Sequence, residues 1–154
     1  MALETAAQIA KLLIKVFTQG NTAFFIGNGG SATQAAHFAG ELICTFENKD
    51  RDPLPAWALT TNPAIMTAWP NDRKDGFEDV YARQIKALAH TGDCLVSLST
   101  SGKSKNCLRA MEVARDRGMF IVDFPRQGKT TAEIQEFQLK LMHDVCRIVE
   151  KHYL

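Results

Sequence analysis

No cysteine in this 154-residue chain has a partner at C-x-x-C spacing; Cys44, Cys94, Cys107 and Cys146 stand singly. That argues against a disulfide framework and for reduced thiols. Cys94 lies in an apolar run and the other three in helical patterns, so all four read as small buried hydrophobes. Charge of one sign is also lacking. A net charge of +1 provides no field that would draw nucleic acid or a membrane surface, and neither is expected as a partner. Recognition of a small anion would therefore depend on local geometry. No apolar run approaches the roughly 20 residues of a membrane span. Residues 1–20 interleave Glu4, Lys11 and Lys15 with apolar positions, unlike the unbroken apolar stretch of a signal peptide. The expected location is cytoplasmic. Repeats and low-complexity segments are missing too, and the length suits one domain spanning 1–154.

What is present is an alternation of short apolar runs and helical periodicity. Ile9, Leu12, Leu13, Val16 and Phe17 predict a helix over about 3–19, ended by Gly20. Strands are expected at Thr22–Ile26, Ala56–Leu59, Cys94–Leu98 and Met119–Val122. Helices are expected after Ser31 (as cap), from about Pro63, over Phe77–Ala89, from Ser104 to Gly118 and over Thr131–Lys151, with a polar turn at Asn71–Gly76. Strands alternating with helices imply an α/β fold, a parallel sheet covered by helices on both faces.

Two strand ends carry similar chemistry. Asn28-Gly29-Gly30-Ser31 lets backbone approach a ligand closely and leads into a helix N-terminus, where unpaired N–H groups favour an anion. Ser99-Thr100-Ser101-Gly102-Lys103-Ser104 repeats the design with four hydroxyls. Either loop alone is also an ordinary strand-to-helix connection; the pair suits a phosphate monoester. Neither fits the dinucleotide fingerprint or the Walker pattern, and Gly128-Lys129-Thr130 lacks the earlier glycine of a P-loop.

His37 and Glu41 lie four apart on one helix, so they share a face, and Gln135 and His143 are eight apart on the last helix. Glu and His together can move a proton between adjacent carbons of a sugar. The same four groups can hold a divalent metal such as zinc. Spacing alone favours neither use, because an i,i+4 His/Glu pair is more often a solvated surface pair. His90 and His152 have weaker claims.

Phe25-Ile26-Gly27-Asn28-Gly29-Gly30-Ser31 followed by His37-Phe38-Ala39-Gly40-Glu41-Leu42 resembles the sugar isomerase (SIS) domain of phosphoheptose isomerases. Asn71-Asp72, Phe77 to Gln84, Gly92-Asp93 to Ser104, and Ile134-Gln135-Glu136 leading to His143 extend the resemblance over nearly the whole chain. It implies a flavodoxin-like three-layer fold and interconversion of sedoheptulose 7-phosphate with D-glycero-D-manno-heptose 7-phosphate. It also implies a homotetramer with shared active sites. Carried over by motif, Glu41 and His143 are the proton-transfer pair, and His37, Glu41, Gln135 and His143 are the zinc ligands. Asn28, Gly29, Gly30, Ser31, Glu41, Asn71, Asp72, Ser99, Thr100, Ser101, Ser104 and Gln135 contact the sugar phosphate. The rival within the same fold is a non-catalytic sugar-phosphate sensor or a protein that binds the replication initiator. Such a cousin lacks the Glu/His pair that stands in this chain.

Three departures accompany the resemblance. Asn62 replaces an aspartate common after the second strand, and Gln138 replaces a histidine common one turn from Gln135. Between Val122 and Lys129 about 15–20 residues are missing, on the scale of a helix and turn. Either a disordered segment has been left out with the numbering closed over it, marked by a chain break, or a natural deletion has removed the sheet edge or forced another element to cover it.

Overall fold

The computed structural model describes residues 5–154. The start of the expected first helix, residues 3 and 4, lies outside the described residues. The elements run α1 (Ala6–Thr18), β1 (Ala23–Gly27), α2 (Gly30–Ile43), β2 (Ala56–Ala58), α3 (Pro63–Asp72), α4 (Gly76–Leu88), β3 (Cys94–Leu98), α5 (Lys105–Asp116), β4 (Phe120–Asp123) and α6 (Thr131–His152). The four strands form one parallel sheet in the order β2-β1-β3-β4, with Phe24 opposite Trp57 and Leu95, and Leu95 opposite Ile121.

The period-2 geometry of the strands sorts the core into two layers. Ala23, Phe25, Ala56, Cys94, Val96 and Val122 face α1, α2 and α6. Phe24, Ile26 and Leu95 face the opposite way, toward α4 and α5. On the first side Phe25, Phe38 and Phe124 form an aromatic chain, with ring centroids 4.8 and 5.8 Å apart. The sheet is thus buried on both faces, as parallel sheets require.

Several local expectations need correction. Ser31 does not cap α2; the cap position is Gly29, whose φ of +56° suits glycine, and Ser31 is buried in the first turn. Asn71 and Asp72 belong to the end of α3 rather than to a turn: the helix runs through Pro70 to Asp72, with Arg73 as its extended C-cap. Cys44 is exposed at the C-cap of α2, beyond the last buried turn. The other three thiols are buried, and burial pushes the Cys107 thiol up to about 11. None of those three is a thiolate near neutral pH.

β4 is a sheet edge. The backbone continues from it through Phe124, fully buried, and Pro125, whose carbonyl accepts from Gln138 Nε2 at 3.1 Å, to Thr130, the N-cap of α6. The Asn62 departure has a local use: its side chain caps α3, accepting from the N–H groups of Ala64 and Ile65. Among the described residues, no helix is long and apolar enough to cross a membrane.

The loop after α2 is fastened to α6 by a buried ion pair. The Glu150 carboxylate accepts from the backbone N–H of Phe46, Glu47 and Asn48 and from Arg51 Nε at 3.3 Å. Arg51 Nη2 donates to the carbonyls of Glu41 and Cys44 at the end of α2. Burial alone would raise the Glu150 carboxyl, but these donors hold it below its ordinary value of 4.5. Because the folded value is depressed, its stabilisation is complete above the ordinary value and lost as pH falls through the folded one. Arg51→Met leaves that carboxylate buried and unpaired, so urea denaturation at pH 7 should show a loss of about 3–5 kcal/mol. The deficit relative to the unaltered protein should shrink as the pH is lowered below the carboxylate range.

Candidate active site

In an open parallel sheet, ligands bind beyond the carboxyl ends of the strands where the winding direction reverses. In this sheet the reversal falls between β1 and β3, because the chain winds from β1 to β2 on one side and from β3 to β4 on the other. The loops leaving those two strands are the glycine turn at Asn28 and the hydroxyl loop at Ser99.

The glycine turn is shaped by its neighbours. A Cβ on Gly27 would stand 2.6 Å from the Ser31 carbonyl oxygen and 2.8 Å from that of Leu98, so no side chain fits between the two strand ends. Tyr81, buried beneath, donates to the Gly27 carbonyl. The side chains of Asn28 and Asn106 form a reciprocal amide pair, each donating to the other at 2.8 Å. Asn106, 1% exposed in the first turn of α5, therefore ties the glycine turn to the hydroxyl loop's helix.

In the hydroxyl loop, Ser99 Oγ accepts from Gly102 N–H and Ser101 Oγ from Lys103 N–H, which curls the loop above the start of α5. Neither α2 nor α5 has a side-chain cap, and α4 lacks one too, whereas Thr5, Asn62 and Thr130 cap α1, α3 and α6. Neither helix start at the crevice has an N-cap side chain accepting from it, although Asn106 Oδ1 takes the Cys107 N–H; the first-turn N–H groups left over are a natural seat for an anion.

Farther along α2, that helix and α6 bring three candidates together. His37 Nε2 and Glu41 Oε1 are 2.7 Å apart. Their ligand atoms and that of His143 all lie within 4.8 Å of one another. The His37 and His143 rings meet edge to face at 5.3 Å, and Phe46 stacks on His143 at 5.5 Å and 23°. The cluster is partly open: the His37 and Glu41 side chains are 43% and 22% exposed. Gln135 lies on the same side of the fold. A Cβ at Gly30 would touch its Nε2 at 2.6 Å, and its carbonyl accepts from Gln34 at 2.7 Å. Asn71 and Asp72, by contrast, are exposed and hydrogen-bond each other at the end of α3, where Asp72 lines an α3–α4 cavity of about 450 Å³.

Sequence reasoning missed Asn106, Phe46 and the Arg51–Glu150 pair. Asn106 follows the serine motif by two residues, a signal that could have been read. The other contacts join residues about 100 positions apart and have no local signature. Asn106→Leu strands the Asn28 carboxamide, and the expected cost is about 1–3 kcal/mol in chemical denaturation.

Comparison with known proteins places these features in a wider group. The family model for the SIS domain matches residues 2–124. The chain is 42% identical over 155 residues to the phosphoheptose isomerase of Crocosphaera subtropica, covering 90% of this chain and 78% of that one. It is also 42% identical over 164 residues to that of Burkholderia pseudomallei, covering 96% and 82%. Among solved structures, the phosphoheptose isomerase of Neisseria gonorrhoeae superimposes with a TM-score of 0.84 at 32% identity, covering 95% of this chain and 85% of the other. The Francisella tularensis enzyme gives 0.86 at 32% identity with the same coverage. In the Burkholderia alignment, 96% of 154 residues is about 148, so about 16 of the 164 aligned positions have no counterpart in this chain.

Proposed function

This chain belongs to the SIS-domain family of phosphoheptose isomerases, and from that membership we propose how its own residues interconvert sedoheptulose 7-phosphate and D-glycero-D-manno-heptose 7-phosphate. The observation that carries the residue assignment is the meeting of Glu41 and His143 between α2 and α6; the uncapped starts of α2 and α5 supply the anion seat. The phosphate sits at those starts, held by the N–H groups of Gly29 and Gly30 and by the hydroxyls of Ser99, Thr100, Ser101 and Ser104. Gln135 contacts the sugar from α6. The Asn28 side chain acts on the substrate indirectly, since its amide is engaged with Asn106.

With the phosphate fixed, the ketose carbonyl carbon and its C1 neighbour reach the His/Glu cluster. Glu41 removes a proton from C1, the electron pair forms the C1–C2 double bond, and the C2 oxygen gains a proton to give the enediol. Return of a proton to C2 and loss of one from the C1 hydroxyl yield the aldose. His143 serves the oxygens on the opposite side. Phe46 keeps that imidazole in place.

The donor set also fits zinc, which takes nitrogen and oxygen ligands and in catalytic sites leaves a position open for substrate. His37, Glu41, His143 and Gln135 would hold it, and when bound it supplies a Lewis acid that polarises the carbonyl and hydroxyl oxygens. Ligation through one Glu41 oxygen lowers the basicity of the other, so the two tasks of that residue compete.

The reading extends to a cytoplasmic homotetramer. Exposed Trp57 and Leu88, with Phe24, Ile43 and Ile65, line a cavity of about 480 Å³ beside β2, apolar surface of the kind a second copy covers. The positions without a counterpart we place between β4 and α6, just where the family match ends.

Incubation of the pure protein with sedoheptulose 7-phosphate should yield the aldose. Glu41→Gln and His143→Ala should each lower kcat about a hundredfold or more. Activity surviving both would overturn the roles of the two residues. Chelator treatment should remove about one zinc per chain by elemental analysis and abolish turnover, with recovery on adding zinc.

A further inference from the structure

A phosphate monoester is close to a dianion at neutral pH, and hydroxyls and amides orient it without neutralising it. With a net charge of +1 the chain has no general field to do so. Of the cations beside the hydroxyl loop, Lys103 is exposed and Lys105 is exposed and leans toward Glu78 at 3.4 Å. Arg126, also exposed, is tied to the loop. Its Nε donates to the Ser99 carbonyl at 2.6 Å and its Nη2 pairs with Asp123. The guanidinium lies over the loop itself: a Cβ on Gly102 would stand 3.0 Å from Cζ and 3.1 Å from Nη2.

Arg126 comes from the β4–α6 connection, whose path is set by the burial of Phe124 and the bond from Gln138 to Pro125. We propose that Arg126 is a phosphate-binding residue of the substrate site, delivered to the hydroxyl loop by this short connection. The proposal rests on the sugar-phosphate reading above. Asp123 is the resting partner of the guanidinium, and an arriving phosphate competes with that single, half-exposed carboxylate for it. Arginine suits the role because its planar fork meets two oxygens of one phosphate at once and its charge does not titrate.

The test uses inorganic phosphate, titrated calorimetrically into the unaltered protein, Arg126→Gln and Asp123→Asn, alongside kinetics on sedoheptulose 7-phosphate. Arg126→Gln should weaken phosphate binding and raise KM about tenfold or more while kcat stays within about threefold, and Arg126→Lys should recover part of the loss. Asp123→Asn should tighten phosphate binding, because the competing carboxylate is gone. A brace that merely supports the loop gives another pattern, in which the two substitutions weaken binding together. That outcome, or unchanged phosphate affinity in Arg126→Gln, overturns the proposal. The titration needs no turnover, so an unaltered protein that binds phosphate without isomerising the sugar counts against the isomerase reading alone.

Discussion

The candidate chemistry requires α2 and α6 to keep one relative position, and a buried ion pair spans them. His37 and Glu41 ride on α2 and His143 on α6, so a small slide of either helix would part the cluster. Arg51 binds the last carbonyls of α2, and Glu150 binds Arg51 and three backbone N–H groups of the intervening loop. The loop so fastened also presents Phe46 to His143. A buried ion pair contributes little net stability compared with apolar packing, but breaking one side of it is costly. Its worth in this fold is geometric.

The sheet order supplies the other half of the site. Reversal of winding between β1 and β3 opens a crevice at their carboxyl ends, and the glycine turn and hydroxyl loop are the residues that leave those strands. The amide pair of Asn28 and Asn106 then holds the two loops in register. Anion seat and proton-transfer cluster are thus positioned by separate devices, an amide pair on one side and an ion pair on the other.

Much of this is legible in the order of the residues. The β3 run Cys94–Leu98 is visible as a short apolar stretch ended by serines, and its bounds agree with the structure. The long α6, expected over Thr131–Lys151, runs from Thr131 to His152 behind a Thr130/Glu133 capping box that only the structure shows. The motif around His37 and Glu41 identifies the family. Spacing alone cannot bring His143 to Glu41, since that contact is made by the fold. The misplaced cap at Ser31 has a plain cause: serine is a common cap, but the positive φ at Gly29 starts the helix earlier. Cys44 departs from expectation because periodicity marks a helix without marking where its buried stripe ends. Arg126 reads as ordinary loop polarity along the chain, and only the fold sets its guanidinium on Gly102.

The missing side-chain caps on α2 and α5 carry a further consequence. Before a ligand arrives, those opening turns are held by local partners, the Asn28 and Gly29 carbonyls in α2 and the Asn106 side chain in α5, and an anion would add to them. A phosphate in the crevice would join both at once. Cargo would then act as part of the secondary structure, and the free energy of seating it would appear partly as added rigidity in segments that touch nothing else of the sugar.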